Sequence, residues 1–183
     1  MIHLIGGPPR VGKSTLALML LERAGLPQVP TDALVSMLQH AAPEYGVRHG
    51  DHPDKAVPAQ PFLLAFLTAI DESLHPDDPA DGYAVEGDVI TPETATALTA
   101  AGIPFTAAFL GNTALTADLL RAAPDDWLKG EPDAAYERTA AWIRDRSTAL
   151  RTTCERTGHI YVDTGRNHEE ALEFAYDSLT RHS

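Results

Sequence analysis

Between residues 7 and 14 the chain reads Gly-Pro-Pro-Arg-Val-Gly-Lys-Ser, which satisfies the spacing G-x-x-x-x-G-K-S. Each residue type has a physical task in holding a phosphate. Gly7 and Gly12 let the backbone wrap closely around an anion, and successive N–H groups from Arg10, Val11, Gly12, Lys13, Ser14 and Thr15 point inward. Pro8 and Pro9 have no N–H, so the donors must start at about Arg10. Lys13 reaches the β- and γ-phosphates of a nucleoside triphosphate, and the Ser14 hydroxyl is a ligand for Mg²⁺. The expected cofactors are therefore ATP and Mg²⁺.

Other residues could complete such a site. Asp32 falls at the carboxyl end of the second expected strand, on the edge where open α/β sheets bind ligands. It could orient a hydroxyl or accept its proton; equally, Thr31 and Asp32 both suit the N-cap of the next helix. Glu86 and Asp88 follow the third strand, and buried carboxylates need a partner or an ion. Glu86 is the first choice for the metal or the substrate and Asp88 the second. Arg48-His49-Gly50-Asp51-His52 places two histidines close together, but neither a helical period nor a cysteine supports a zinc site. Cys154 is the single cysteine, so no intrachain disulfide forms, and it is expected to be a buried apolar residue on a helix.

The elements that must position these groups alternate. Short apolar strands are expected over Ile2–Ile5, Gln28–Pro30, Tyr83–Val85, Ile103–Leu110 and His159–Val162. Helices are expected over Ser14–Ala24, from Thr31 or Asp32 to about Ala41, Gln60–Leu74, from Pro92 to Gly102, Leu115–Ala122, Asp133–Thr157 and Asn167–Leu179. The stretch 42–59, broken by Pro43, Gly46, Gly50, Pro53 and Pro58, is expected as a long loop beside the acceptor. Alternating strands and helices imply a parallel sheet covered on both faces, in one α/β domain spanning residues 1–183.

The net charge of −12 disfavours nucleic acid or an anionic membrane as a partner, although six of the fourteen Lys and Arg residues lie between Arg138 and Arg166. No apolar run approaches the roughly 20 residues that span a bilayer, and no basic leader precedes the first strand. These features lead to an expectation of a cytoplasmic protein.

The chain resembles the small P-loop kinases, the group that includes nucleoside monophosphate, shikimate, gluconate and chloramphenicol kinases. Carrying the resemblance are Gly7–Thr15 after strand one, Thr31-Asp32 after strand two, Glu86-Gly87 after strand three, an Arg-bearing helix before strand five, and Asp163-Thr164-Gly165 after it. The layout matches over almost the whole chain, while only the first motif is specific. It implies a three-layer P-loop NTPase fold with a five-stranded sheet in the order 2-3-1-4-5. The implied activity is transfer of the ATP γ-phosphate to a hydroxyl or phosphate of a small molecule. A lid over residues 128–146 is implied as well, with Arg138, Arg144 and Arg146 around the migrating phosphate. Thr164, Gly165 and Arg166 match the family's adenine-side loop.

Ala84-Val85-Glu86 is the closest substitute for the apolar run ending in Asp that P-loop proteins usually place on strand three. That departure keeps open an alternative, an ATP-binding regulatory switch without a metabolite acceptor. An Asn-Lys-x-Asp guanine motif and a Leu-Ser-Gly-Gly-Gln-type transporter signature are both absent from the sequence.

Overall fold

A computed structural model describes residues 1–50, 55–75, 82–123 and 127–181. Five parallel strands form one sheet: β1 (Ile2–Gly6), β2 (Gln28–Pro30), β3 (Tyr83–Gly87), β4 (Phe105–Gly111) and β5 (Ile160–Asp163), in the order β2-β3-β1-β4-β5. Seven helices surround it among the described residues: α1 (Lys13–Ala24), α2 (Asp32–Ala41), α3 (Ala56–Ser73), α4 (Pro92–Ala101), α5 (Ala117–Ala122), α6 (Asp133–Thr157) and α7 (His168–Thr180). The three-layer P-loop NTPase architecture and the strand order are as the resemblance to the small P-loop kinases implies.

Strand β1 is buried along its full length, so both of its faces must be covered. Ile2 and Leu4 pack with Leu63, Leu67 and Leu98 from α3 and α4, while Ile5 packs with Leu16, Leu20, Leu172 and Leu179 from α1 and α7. The two-residue alternation of a strand thus builds two apolar cores, one on each face. Parallel pairing aligns Gly6 with Gly87, Ile5 with Glu86, and Pro30 with Glu86. This register sets Glu86 beside the root of the phosphate loop.

The long loop expected over 42–59 is shorter in the structure. Pro43–Tyr45 form a 3₁₀ turn, and α3 begins at Ala56 rather than Gln60. Pro58 lies in the first turn, where a missing N–H costs nothing, and Pro61 sits inside the helix. Burial of Ala59, Leu63, Leu67 and Ile70 on one stripe outweighs the proline penalty. Asp51, His52 and Pro53 of that stretch lie outside the described residues.

Candidate active site

The phosphate loop leaves the buried end of β1 and closes on itself. Gly7 (φ 140°), Arg10 (φ 66°) and Gly12 (φ 95°) all have positive φ. A side chain at Gly7 would lie 2.2 Å from the carbonyl oxygen of Leu110, so glycine is required for the loop to lie against β4. Fully buried Val11 anchors the centre of the loop. Lys13 Nζ donates to the Pro8 carbonyl at 2.8 Å, across the loop. Burial lowers the Lys13 pKa, and the charges of Asp88, Glu86 and Asp32 oppose that fall. The first turn of α1 leaves N–H groups with no partner inside the helix, facing where an anion would sit.

Glu86, at the end of β3, is 7% exposed. Its Oε1 accepts from the Ser14 hydroxyl at 3.1 Å and from Gln28 Nε2 at 3.3 Å. A hydroxyl and a carboxylate oxygen in contact are hard donors, which suits Mg²⁺, an ion held by one or two carboxylates together with water and phosphate oxygens. No group of three or more His, Cys, Asp or Glu side chains that could hold a metal occurs among the described residues. The His49 ring is hydrogen-bonded to Ser36 Oγ at 2.7 Å, which ties it to α2. His52 lies outside the described residues.

Two cavities meet above the sheet. One, about 400 Å³, is lined by Arg10, Gly12, Lys13, Ser14, Thr15, Asp32, Glu86, Gly87 and Asp88 among others. The other, about 510 Å³, is lined by Pro9, Asp32, His49, Gly50, Lys55, Asp88, Trp127 and Trp142. Asp32 is the first residue of α2 and is exposed. Thr31 forms no side-chain cap for that helix, and its hydroxyl is buried without a hydrogen-bond partner among the described residues, against the capping role its position suggests. Lys55 pairs with Asp88 at 2.5 Å.

Lys55, Trp127 and Trp142 line these cavities, and the sequence alone does not mark them. Lys55 precedes α3 in a stretch without a period, and the tryptophans lie 15 positions apart with no motif around them. Their rarity was the one available signal, since the chain has three lysines and two tryptophans.

The three arginines expected around the migrating phosphate separate in space. Arg146 stacks over Trp142, 5.6 Å from the ring centroid, and lines a cavity of about 220 Å³ with Gly7, Pro8, Lys55 and Asp88. Arg138 lines a different hollow with Leu128, Glu131 and the two tryptophans. Arg144 donates to the Leu115 carbonyl at 2.7 Å, which ties α6 to the segment after β4.

Beyond β5 the chain makes a tight turn. Asp163 accepts from the Thr113 hydroxyl at 2.5 Å and from the Gly165 N–H at 2.9 Å. Burial alone would raise its pKa, but these bonds hold it below the usual carboxylate value. Thr164 donates through both its N–H and its hydroxyl to the Gly111 carbonyl. Arg166 is exposed. A side chain at Gly12 would come within 2.8 Å of the His168 ring, so the turn carrying Thr164, Gly165 and Arg166 leads directly to the phosphate loop.

Solved structures of small P-loop kinases share this fold. A gluconokinase from Sinorhizobium meliloti superposes with a TM-score of 0.60 at 15% identity, covering 99% of this chain and 91% of that one. A sugar kinase from Janibacter sp. gives a TM-score of 0.60 at 18% identity, covering 97% and 93%. The shikimate kinase of Acinetobacter baumannii, solved in complex with shikimate, gives 0.55 at 15% identity, covering 99% and 92%. No protein-family model matches the chain, and no curated protein matches it in sequence. The chain therefore has the fold of the small P-loop kinases, and the likeness is one of structure. No helix among the described residues is long and apolar enough to cross a membrane.

Proposed function

We propose that the protein is an ATP-dependent kinase acting on a small molecule. The observation that carries this is the arrangement of Lys13 and the Ser14–Glu86 pair in one cavity, which shares Pro9, Asp32, Asp88 and Trp127 with a second cavity large enough for a metabolite. A switch protein needs the first cavity; a kinase needs both.

In this reading the backbone of Gly7 to Thr15 cradles the phosphates, and Lys13 neutralises the β- and γ-phosphates. Ser14 and Glu86 would hold Mg²⁺, which when bound would offset charge on the phosphate oxygens. Arg146, on the wall shared with Gly7 and Pro8, is the arginine best placed to meet the migrating phosphoryl group; Arg138 and Arg144 face other surroundings. The turn at Thr164, Gly165 and Arg166 borders the adenine, chiefly through backbone atoms. Residues 128–146 act as the lid, and Asp32 lines the path from the acceptor to the phosphate. Catalysis by such a site is positioning and charge stabilisation.

The test is incubation with ATP and Mg²⁺ and a panel of sugars, sugar acids, cyclic hydroxy acids, nucleosides, nucleotides and hydroxylated antibiotics, read by mass spectrometry for a gain of one phosphate. A phosphorylated product that disappears with Lys13→Ala supports the proposal. Product formed equally well by that variant, or ATP turnover that responds only to a protein partner, would overturn it.

A further inference from the structure

Charge is unevenly distributed in the larger cavity, the one on the acceptor side. Among the described residues that line it, Lys55 is the one Lys or Arg, and it is committed to a salt bridge with Asp88. Lys55 thus offsets Asp88, and the charge of the exposed carboxylate Asp32 on the same wall is left over. Other cations stand nearby, but each belongs to another part of the site. Lys13 reaches across the phosphate loop to the Pro8 carbonyl. Arg10 lines the phosphate cavity and Arg146 the groove with Glu93, and neither is without a partner. Arg138 lies in the hollow beyond the tryptophans, together with Glu131. Asp51-His52-Pro53-Asp54 and Pro124-Asp125-Asp126, which lie outside the described residues, contain no Lys or Arg.

The second feature is open aromatic surface. Trp127 is 49% exposed and lines both the phosphate cavity and the acceptor cavity, as Asp32 does. An indole is at once a flat apolar surface and a negative face, so it suits a sugar-like ring or a cation. Trp142, on the same wall, already has a guanidinium over its ring, with Arg146 5.6 Å from the centroid. A carboxylate and an indole at one junction favour positive charge twice, once by ion pairing and once through the ring quadrupole. An acidic acceptor would instead meet Asp32 and the phosphates of ATP, with no uncommitted Lys or Arg among the described residues that line its cavity.

We propose, resting on the kinase reading above, that the acceptor is a hydroxylated amine, an amino sugar or aminocyclitol whose ammonium lies between Asp32 and the Trp127 ring. The ammonium donates to the Asp32 carboxylate in a charge-assisted hydrogen bond. Trp127 adds cation–π attraction and shields that pair from water. Because both residues also line the phosphate cavity, the ammonium lies near the hydroxyl that receives the phosphate. Neutral polyols fill the same space with lower affinity, and sugar acids and cyclic hydroxy acids are turned away by charge.

Both tryptophans of the chain line the acceptor cavity, so intrinsic fluorescence of the full chain reads binding there. With ADP and Mg²⁺ present, the probes are streptamine, myo-inositol and quinate, cyclohexane polyols that carry amines, no charge and a carboxylate respectively. Glucosamine, glucose and glucuronate form a second matched set. The amines should bind about tenfold or more tightly than their neutral counterparts, and the acids more weakly than either. Equal affinity across each set, tighter binding of the acids, or no binding by any of these probes overturns the proposal.

Variants separate recognition of charge from general damage to the cavity. Asp32→Asn should remove the preference for amines while leaving myo-inositol affinity within about threefold. Asp32→Lys should transfer the preference to quinate and glucuronate. Trp127→Leu should weaken streptamine binding about threefold. An Asp32 variant that weakens amines and neutral polyols alike refutes the ion pair. A Lys13-dependent gain of phosphate by an acid, and by no amine, rejects the assignment and keeps the kinase reading. Asp32-dependent binding of amines, with no gain of phosphate by any compound tried, keeps the ammonium site and removes the kinase reading.

Discussion

The phosphate side and the acceptor side of the site are built by different means. On the phosphate side, eight consecutive residues supply the backbone, the cation and the hydroxyl, and Glu86 of β3 joins the hydroxyl from elsewhere in the chain. Positive φ at Gly7, Arg10 and Gly12 and the Lys13–Pro8 bond fix that loop by local geometry. On the acceptor side no two of Asp32, Lys55, Asp88, Trp127 and Trp142 are neighbours in sequence, and side chains from five segments meet across a cavity. In the kinase proposed above, the first construction would meet a group that never varies, a chain of phosphates, while the second can be altered one side chain at a time, as a specificity pocket requires.

The comparison is broken most severely at Lys13. Lys13→Ala should reduce phosphoryl transfer by about 10³-fold or more while thermal unfolding stays unchanged; a loss under tenfold would show that the cradle does not depend on its cation.

Acid should strike the phosphate side through its supporting strand. His3 of β1 is 2% exposed, with its Nδ1 2.9 Å from Thr106 Oγ1 on β4. Burial chiefly lowers its pKa from 6.5 to about 4. The unfolded chain therefore takes up a proton that the folded chain refuses between pH 6.5 and about 4. Stability from this group is full above that window and declines as pH falls through it, by up to about 3 kcal/mol. Urea unfolding at pH 7, 5.5 and 4 checks the slope, and His3→Gln should flatten it.

Gly7→Ala should cost about 2 kcal/mol, because the added carbon meets the Leu110 carbonyl and φ is positive. It should weaken ATP binding in the same titration. The smallest effect on stability belongs to Trp127→Phe, at a residue 49% exposed. Its Tm and ATP affinity should match wild type, with unfolding free energy changed by less than about 0.5 kcal/mol. The KM for the acceptor should rise. A loss of ATP affinity in this variant would merge the two sides into one.

The legibility of each region follows from the same difference. Strand β1, the loop and α1 could be read because their signals are local: an apolar run, glycines, then a helical period. The start of α3 could not, because Pro58 and Pro61 read as breakers until the burial of Ala59, Leu63 and Leu67 is known. Thr31 looked like a cap, yet it lies against Gly87, where an added Cβ would collide with its hydroxyl. Arg144 looked equivalent to Arg146 on one helix, and only the packing of α6 on the segment after β4 sends it to the Leu115 carbonyl.

By itself the sequence determined the phosphate loop and the α/β alternation, since both rest on residues close enough in the chain to constrain one another. Its resemblance to the small P-loop kinases supplied the sheet order. Tertiary structure alone decided that Glu86 meets Ser14, that Lys55 meets Asp88 and that the two tryptophans share a wall. Those contacts join residues 72, 33 and 15 positions apart. Strand register and helix packing bring such residues together, and no short-range pattern in the chain records that distance.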